Sequence, residues 1–349
     1  MQQRLLNLLA CPDCRARVER DRDRLICTTC KREFEIRNGI PRLLPREMQD
    51  RAREERSAEH FTAEFTVGAK GDADIDRPEL LDYYFFSRTG LDPKVYEVFG
   101  TDDHYPVEVQ APYTPDTREL QNKIVLDAGC GPARFTPVAA RAASYVVGLD
   151  LGDHVERAAA RCRHLDNVDF VQGSVLAPPF LPEAFDLVYS IGVLHHTPDP
   201  RGGTLRLSEL VKPNGAFALW VYPPEYWGGA LRAPVSRAFH RWFRRLQPRT
   251  KERVARRVLM PLGRMQARLA KRRWSKLLGA PLFLLPVPRH PGEHVMLATI
   301  LDYYGPPYIA TYAYDEVREW LSEAGFRDLT KVPVPTAWLA RDRGGERGR

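Results

Sequence analysis

A glycine turn after an apolar run is the part of this sequence best suited to chemistry. Residues 125–128 read as a strand, Gly129-Cys130-Gly131 follows, and a helical stretch comes next. Such a turn brings backbone N–H groups close to a ligand at the carboxyl end of the strand. The next predicted strand ends at Asp150, whose carboxylate can accept hydrogen bonds from both hydroxyls of a ribose. Together they predict a nucleoside-cofactor site; a turn that needs glycine only for its backbone is the alternative.

Four cysteines form two Cys-x-x-Cys pairs separated by twelve residues, which is the spacing of a tetrahedral metal site. They are Cys11, Cys14, Cys27 and Cys30. Four thiolates suit zinc, and a closed four-sulfur shell is typical of a structural site. A unit of about 45 residues builds little core, so we expect metal binding to supply its folding energy and its core to be separate from the rest. An iron site, and a redox or empty site, are the alternatives.

Two histidines follow the predicted strand 185–190, at a position where they can reach a bound ligand. His195 and His196 come just after the carboxyl end of that strand, the edge at which ligands bind in parallel sheets. An imidazole there can act as a general base near neutral pH. Both are therefore catalytic candidates, and the alternative is that they pack against or cap the strand end.

The elements that position these residues alternate between strand and helix from residue 123 to residue 222. Predicted strands are 123–128, 145–150, 168–171, 185–190 and 216–222, and predicted helices are 133–143, 153–164 and 201–211. This alternation is typical of a parallel, doubly wound α/β sheet. An amphipathic helix at 314–324 and strands at 326–331 and 334–340 complete it. We therefore predict a Rossmann-like, mostly parallel seven-stranded sheet with a small N-terminal zinc ribbon and a helical insertion.

Composition and pattern divide the sequence into six segments. We predict a zinc ribbon at 1–45, a linker and capping segment at 46–121, the sheet core at 122–222, a basic helical insertion or lid at 223–313, the last helix and strands of the core at 314–340, and a charged tail at 341–349. Residues 46–60 are charge-rich and predict a linker helix without an apolar face. Four aromatic residues of the capping segment either cover the cofactor pocket or pack against the main domain; they are Tyr83, Tyr84, Phe85 and Phe86.

The composition of the 349 residues excludes several classes of protein. No stretch of about eighteen or more apolar residues is present, so no transmembrane helix is expected. The N-terminus lacks the apolar run and cleavage site of a signal peptide, and six cysteines are too few and too unevenly placed for a disulfide scaffold. We expect a cytoplasmic protein, with peripheral contact with a membrane as a further option.

The positive charge of the chain is concentrated in the predicted insertion. Residues 231–276 hold 16 of the 52 Lys and Arg residues but only one of the 45 acids, Glu252. Apolar residues recur there at helical spacing; they are Val235, Phe239, Trp242, Phe243, Leu246, Val254, Val258, Leu262, Met265 and Leu269. We expect these helices to form a lid over the cofactor site, or to contact anionic lipid headgroups. RNA is a less favoured partner, because no RNA-binding motif is visible.

The sequences of these motifs resemble those of class I S-adenosylmethionine (SAM)-dependent methyltransferases. VLDAGCG at 125–131 and GLDL at 148–151 are similar to the cofactor motifs of that family, and FDLV at 185–188 with GVLHH at 192–196 is similar to its group that includes ubiquinone and menaquinone biosynthesis enzymes. LLACP at 8–12 and GIP at 39–41 resemble the zinc ribbons of small tRNA-methyltransferase activator proteins. The zinc module of ribosomal RNA guanine methyltransferases is similar too, but its last ligand is usually His, where this chain has Cys30.

The resemblance implies a SAM site and a role for the residues around it. The glycine turn would approach the methionine part of SAM, with Asp127 near the ammonium, while Asp150 would hold the ribose. Ser174 stands where the family often has Asp, so it either bonds the adenine or caps a helix. The implied cofactor-binding residues are Asp127, Gly129, Cys130, Gly131, Asp150, Leu151, Gly173, Ser174, Val175, Ser190 and Ile191.

The activity that the resemblance implies is methyl transfer by in-line displacement. The acceptor would be a small or amphipathic molecule held under the helical insertion, aligned with the methyl group and shielded from water. One alternative is an RNA methyltransferase that uses the zinc ribbon and the basic insertion. Another is a non-enzymatic SAM-binding or adaptor protein.

Overall fold

The structure, a computed structural model, describes residues 1–48, 51–68, 78–99, 114–228, 230–270, 283–285, 287 and 292–344. Its N-terminal module is a short helix followed by four antiparallel strands that pair in chain order. These elements are α1 (Gln3–Leu6), β1 (Val18–Asp21), β2 (Arg24–Cys27), β3 (Glu33–Arg37) and β4 (Ile40–Pro41). The predicted N-terminal unit therefore folds as a small β-sheet.

A seven-stranded, mostly parallel sheet forms the centre of the protein. Its strands are β5 (Ile124–Ala128), β6 (Tyr145–Asp150), β7 (Val168–Gln172), β8 (Phe185–Ile191), β9 (Val211–Trp220), β10 (Phe326–Lys331) and β11 (Ala337–Arg343). They lie in the order β10–β11–β9–β8–β5–β6–β7, and β11 alone among them runs antiparallel to the rest. The order reverses between β5 and β8, and such a switch point forms a ligand crevice beyond the carboxyl ends of the strands. The predicted Rossmann-like, doubly wound fold is confirmed.

Two of these strands have bounds that differ from the prediction by more than one residue. β9 starts at residue 211 rather than 216, because residues 212–215 form a bulge opposite Phe185 and Leu187. β11 starts at residue 337 rather than 334, because Pro335 has no N–H for a ladder and Thr336 has a φ of 56°. β11 extends to residue 343, into the predicted tail. Residues 345–349 lie outside the described part of the chain.

Helices pack around the sheet and build the insertion. They are α2 (Arg51–Gly68), α3 (Pro78–Thr89), α4 (Lys94–Phe99), α5 (Thr136–Ala140), α6 (Val155–Arg161), α7 (Pro200–Ser208), α8 (Ala233–Phe243), α9 (Pro248–Val254), α10 (Met260–Ala270), α11 (Glu293–Tyr304) and α12 (Tyr314–Glu323), with a π-helical turn at Ala255–Leu259. α5 is shorter than the predicted 133–143, because Ala133 has a φ of 62° that a helix cannot contain. α7 begins at residue 200, where the Asp199 carboxylate accepts the Gly202 N–H at 2.8 Å as a cap.

Helix α2 is longer than the predicted linker helix and is not a linker. It packs against α11 and buries one polar side. The buried side chains are those of Glu54, Ser57, His60 and Glu64. A buried face made of polar residues carries no apolar periodicity, so the sequence pattern did not indicate its burial.

The N-terminal module and the sheet share one apolar core, so the predicted separation of their cores is wrong. Leu9 and Leu43 of the module belong to the same buried cluster as Val171 and Phe180. Backbone N–H groups also cross the boundary, from residue 43 to the Gln172 carbonyl at 2.8 Å and from residue 181 to the residue 8 carbonyl at 2.9 Å. The physical reason is that β7 is an edge strand of the sheet, and the module covers that edge.

The insertion has a core of its own, formed by α8 to α11. Phe243, Leu259, Leu297 and Tyr304 are buried there. Only some of the apolar residues that recur at helical spacing in the insertion face this core. Phe239, Leu246, Val254 and Leu262 pack against this core, but several others are exposed, namely Val235, Trp242, Val258 and Met265. Among the described residues, no helix combines the length and the apolar composition that a bilayer crossing requires.

Candidate functional site

A cavity of about 730 Å³ lies at the carboxyl ends of β5, β6 and β8. Its floor contains the glycine turn that follows β5, Asp150 at the end of β6 and Ile191 at the end of β8. Side chains from α2 and α11 face it from the opposite side, including Phe61 and Asp302. This is the switch-point crevice that the strand order predicts.

The glycine turn has a backbone that few other residues could adopt. Gly129 and Gly131 have φ values of 88° and 54°, and a Cβ on Gly129 would lie 2.4 Å from the Val193 side chain. The N–H groups of Gly129 and Cys130 donate to the Leu149 carbonyl at 2.8 and 3.0 Å. The turn is thereby held against β6, and its backbone borders the cavity without side chains in the way.

The Asp150 carboxylate is held by three neighbours. It accepts the N–H of Gly131 at 2.8 Å and that of Gly152 at 3.2 Å, and His154 Nε2 lies 2.9 Å from its Oδ1. Burial alone would raise the pKa of Asp150, but the charge of His154 and these hydrogen bonds bring it below its ordinary value. Asp150 is therefore an ionised acceptor on the cavity wall.

Most of the cofactor-binding candidates from the sequence line this cavity. They are Gly129, Cys130, Gly131, Asp150, Leu151, Ser174, Val175 and Ile191. The Oγ of Ser174 accepts the N–H of Leu176 at 3.1 Å, so its hydroxyl caps a turn rather than a helix. One of its lone pairs is thus used within the turn.

Asp127, Gly173 and Ser190 lie behind the cavity wall. Asp127 is buried and accepts a hydrogen bond from the Thr136 hydroxyl at 2.7 Å, and burial raises its pKa to about 7. Ser190 is fully buried and its hydroxyl donates to the Ala128 carbonyl at 3.0 Å. These contacts join β5 to α5 and to β8, so the residues shape the floor from below.

The two histidines have different surroundings. His195 is fully buried and its ring stacks on Tyr222, with 3.7 Å between the ring centres. His196 lines the cavity, and its Nδ1 lies 2.9 Å from the Tyr308 carbonyl. Burial lowers the pKa of His196 to about 4, so the ring is neutral at ordinary pH. In that state Nδ1 carries the hydrogen, and the Nε2 lone pair has no hydrogen-bond partner within the described chain.

Asp302 and Glu64 are polar residues of the site that the sequence reasoning missed. Asp302 lies on α11 with its Oδ1 4.0 Å from His196 Nε2, and its Oδ2 accepts the Tyr222 hydroxyl at 2.8 Å. Burial raises the pKa of Asp302 to about 6. Glu64 on α2 also lines the cavity, and burial raises its pKa well above the ordinary value. No spacing in the sequence connects these acids with His196, because they belong to α2 and to the insertion.

Aromatic side chains form the rest of the wall. Tyr222, Tyr226 and Tyr303 stack in series, with 4.2 Å between successive ring centres. Of the four aromatic residues in the capping segment, Tyr84 lines the cavity, while the other three are buried beneath it. Both alternatives for that segment are thus partly correct. The described wall offers a flat apolar surface beside the two acids and His196.

The four predicted metal ligands meet in the N-terminal module. All four sulfur atoms lie within 4.8 Å of one another, with 3.7 Å between Cys11 and Cys30 and 3.3 Å between Cys14 and Cys27. Tetrahedral zinc with Zn–S bonds of about 2.3 Å places sulfur atoms roughly 3.8 Å apart, so the cluster fits that ion. Although burial acts to raise the pKa of Cys27, hydrogen bonds from Cys30 and Thr29 lower it to about 7, which favours the thiolate.

Two parts of the chain match known families. Residues 126–219 match the family described as methyltransferase domain, and residues 2–39 match the family described as Trm112p-like protein. Both resemblances predicted from the sequence are confirmed.

Similar proteins include a sterol 24-C-methyltransferase of Candida albicans, which is 35% identical over 119 residues, or 30% of this chain and 30% of that protein. A ubiquinone biosynthesis O-methyltransferase of Saccharophagus degradans is 30% identical over 113 residues, or 31% of this chain and 47% of that protein. The match thus spans less than half the length of either relative. The structure of a SAM-dependent methyltransferase from Mesorhizobium loti is 28% identical, with a TM-score of 0.30, over 31% of this chain and 50% of that one.

Proposed function

We propose that this chain, which carries a methyltransferase domain at residues 126–219, transfers the methyl group of SAM to an amphipathic acceptor. One observation carries the proposal: the glycine turn, the ionised Asp150 and the Nε2 lone pair of His196 belong to one cavity. SAM, when bound, supplies an activated methyl group. The protein therefore has to align the acceptor and exclude water, and needs a base only if the acceptor must lose a proton.

The residues around the glycine turn fit SAM. Gly129 and Gly131 line the cavity and carry no side chains, so a ligand can approach their backbone closely. An ionised carboxylate has about four lone-pair positions, so beyond its three present neighbours Asp150 retains about one position for a ribose hydroxyl. Leu151 and Val175 supply apolar surface for an adenine ring.

His196 and Asp302 would serve the acceptor end of the cavity. Because the Nδ1 hydrogen of His196 is directed to a backbone carbonyl, Nε2 can accept a proton from an acceptor hydroxyl as the methyl group is transferred. The Asp302 carboxylate, 4.0 Å away, would stabilise the resulting imidazolium when it is ionised. His195, buried against Tyr222, would hold that wall in place rather than touch the acceptor.

A lipophilic acceptor is the best-supported class. The wall beside His196 is built from stacked tyrosine rings and Phe61, whose ring centre is 5.0 Å from that of His196. Two similar proteins are named for sterols and for ubiquinone biosynthesis, and both kinds of molecule are lipophilic. An RNA acceptor is the second candidate, because residues 2–39 match the family described as Trm112p-like protein and their sequence resembles the zinc ribbons of small tRNA-methyltransferase activator proteins.

We further propose that the four-cysteine cluster binds one structural zinc ion. Cys11, Cys14, Cys27 and Cys30 would hold it, and its closed sulfur shell leaves no position for catalysis. Its role would be to hold together the loops of the N-terminal module.

Peripheral contact with an anionic membrane is proposed for the outer face of the insertion. Leu231, Trp242 and Val258 are exposed by 88%, 49% and 56%, and arginines such as Arg241 and Arg257 are exposed beside them in the sequence. Exposed apolar side chains among arginines are typical of an interfacial helix, in which the former enter the headgroup region and the latter meet phosphate. Such contact would give the cavity access to a membrane-dissolved acceptor.

Radiolabelled SAM and a fractionated cell extract test the proposed activity. After incubation with the full-length protein, the extract is separated into lipid, small-molecule, RNA and protein pools. We expect label in the lipid pool. Label in RNA would replace the lipophilic acceptor with the RNA alternative, and binding of SAM without transfer to any pool would favour a SAM-binding adaptor.

An Asp150→Ala variant is the control for the cofactor assignment. Losing a charge-assisted bond to a ribose hydroxyl should cost roughly 1.5–3 kcal/mol, which is about tenfold or more in affinity for SAM. The exposed Asp166→Ala variant should bind like the native chain in the same calorimetric titration. Equal affinities for all three proteins would contradict the role of Asp150.

A further inference from the structure

A row of three polar side chains connects helix α2 with the acid at the end of β6. The Thr62 hydroxyl oxygen lies 3.1 Å from His154 Nδ1, and His154 Nε2 lies 2.9 Å from Asp150 Oδ1. Thr62 is 88 residues or more before the other two in the chain, so the row exists only in the folded protein. It links an element over the cavity with a residue of its floor.

The fold keeps a specific space for the imidazole of His154. The residue is 5% exposed, although histidine is a side chain that usually remains partly in water. Gly152 borders it: a Cβ there would lie 2.4 Å from His154 Cε1 and 3.3 Å from the Thr62 hydroxyl oxygen. Any larger residue at 152 would push the ring and α2 away from Asp150.

The hydrogen-bonding capacity of the three groups matches. A neutral imidazole has one donor and one acceptor nitrogen. With an uncharged ring the Thr62 hydroxyl donates to Nδ1, and with a charged ring it accepts from Nδ1; in both cases Nε2 carries a hydrogen and lies 2.9 Å from Asp150 Oδ1. The carboxylate also accepts the Gly131 and Gly152 N–H groups, so its orientation is set from both the glycine turn and α2.

We propose that His154 is a positioning residue that transmits the placement of α2 to Asp150, with Thr62 holding the orientation of its ring. The inference rests on the proposed function, in which Asp150 binds the ribose of SAM. It adds that ligand binding at Asp150 and packing of α2 over the cavity stabilise each other, because coupling between two sites is reciprocal. The residues of α2 on the cavity wall, which include Phe61 and Glu64, would then be ordered by the cofactor before the acceptor enters.

Two isosteric or near-isosteric variants test the link in the full-length chain. Thr62→Val keeps the shape and removes the hydroxyl, whereas Thr62→Ser keeps the hydroxyl. Titration calorimetry with S-adenosylhomocysteine should show about a threefold to tenfold loss of affinity for Thr62→Val and near-native affinity for Thr62→Ser. His154→Ala should lose about tenfold or more, with the exposed His164→Ala as its matched control.

Hydrogen exchange of the α2 amides supplies the second measurement. In the native chain and in Thr62→Ser, we expect S-adenosylhomocysteine to slow exchange in α2; in Thr62→Val this protection should be reduced at equal ligand saturation. A merely structural role for Thr62 would change exchange equally with and without ligand.

The outcomes separate this inference from the proposed function. Absence of S-adenosylhomocysteine binding to the native chain would overturn the proposed function itself. Native binding that is lost in Asp150→Ala but unchanged in Thr62→Val and His154→Ala, with equal α2 protection, would overturn the inference alone. Thermal unfolding of each variant identifies any variant that fails to fold. If His154→Ala does not fold, the result for Thr62→Val alone decides the test.

Discussion

Arg42 of the N-terminal module donates a hydrogen bond to Gln172 at the end of β7, with 3.0 Å between Nη1 and Oε1. Gln172 in turn donates through Nε2 to the Leu151 carbonyl at 2.9 Å. Leu151 follows Asp150 directly, so two successive hydrogen bonds connect the N-terminal module with the segment that carries the candidate ribose acceptor. The module is thereby part of the support of the cavity.

Replacing Arg42 by Met should destabilise the protein. The side chain is only 7% exposed and also pairs with the partly exposed Glu156, so its removal leaves the buried Gln172 oxygen without its charged donor. We expect the free energy of unfolding to fall by about 1.5–3 kcal/mol in urea titrations. Arg37→Met is the matched control, because Arg37 is exposed and its pair with Glu35 contributes little. Equal losses in the two variants would show that the contact with Gln172 is unimportant.

Loss of the metal should weaken binding at the cavity. Because the module shares its core with β7 and with Val175 on the cavity wall, unfolding it in a Cys27→Ser variant removes support from that wall. We expect one zinc ion per native chain by metal analysis, no stoichiometric zinc in the variant, and at least about a tenfold loss of S-adenosylhomocysteine affinity. Cys162→Ser, away from the module, should keep its zinc. Iron in the native protein would contradict the zinc assignment, and unchanged affinity in Cys27→Ser would contradict the coupling.

The buried carboxyl of Asp127 should make stability depend on pH. Burial raises its pKa from 3.8 to about 7, so the folded protein keeps this proton where the unfolded chain has lost it. The unfolded state then binds fewer protons, and this contribution to stability falls as the pH rises from about 4 to about 7. Asp127→Asn keeps an acceptor for the Thr136 hydroxyl and does not titrate. Unfolding free energies measured between pH 5 and pH 8 should therefore decline less in the variant; parallel declines would assign the effect to other groups.

Charge reversal on the outer face of the insertion should abolish membrane binding. Arg241, Arg245 and Arg257 are exposed, whereas Arg244 donates to the Pro307 carbonyl and Arg256 pairs with acids, so only the first three are changed to Glu. In flotation assays at low salt, the native protein should float with anionic liposomes, whereas the triple variant should not. Reversal of the exposed Arg20, Arg22 and Arg163 changes the net charge equally and should leave flotation intact. The native protein and the two triple variants should have the same affinity for S-adenosylhomocysteine. Failure of the native protein to bind anionic liposomes would contradict the proposed membrane contact.

The sheet and the floor of the site were predictable because their signals are local. An apolar run, two glycines and an acid at the next strand end indicate β5, the turn and Asp150 without information from elsewhere. The clustering of the four cysteines was equally predictable, because two Cys-x-x-Cys pairs have the spacing that is typical of a tetrahedral metal site.

The opposite side of the cavity depends on contacts between distant segments. Glu64 and Asp302 are separated by more than 230 residues, and each belongs to a helix whose function has no sequence motif. His195 and His196 have identical local signals, yet one is enclosed by Tyr222 and the other is turned to the cavity by the Tyr308 carbonyl. Neither partner could be named from the sequence, because both are supplied by the packing of the chain after β8.

The edge of β7 has a consequence for the independence of the two families found in this chain. Leu9 and Leu43 are packed with Phe180 and Val171, and each such side chain contributes about 1.5–3 kcal/mol through its removal from water. Cutting the chain behind the module would expose apolar surface on both pieces and leave an open strand edge, which invites pairing with other molecules. The two matched segments thus share one apolar core, and neither can be exchanged without rebuilding the surface of the other.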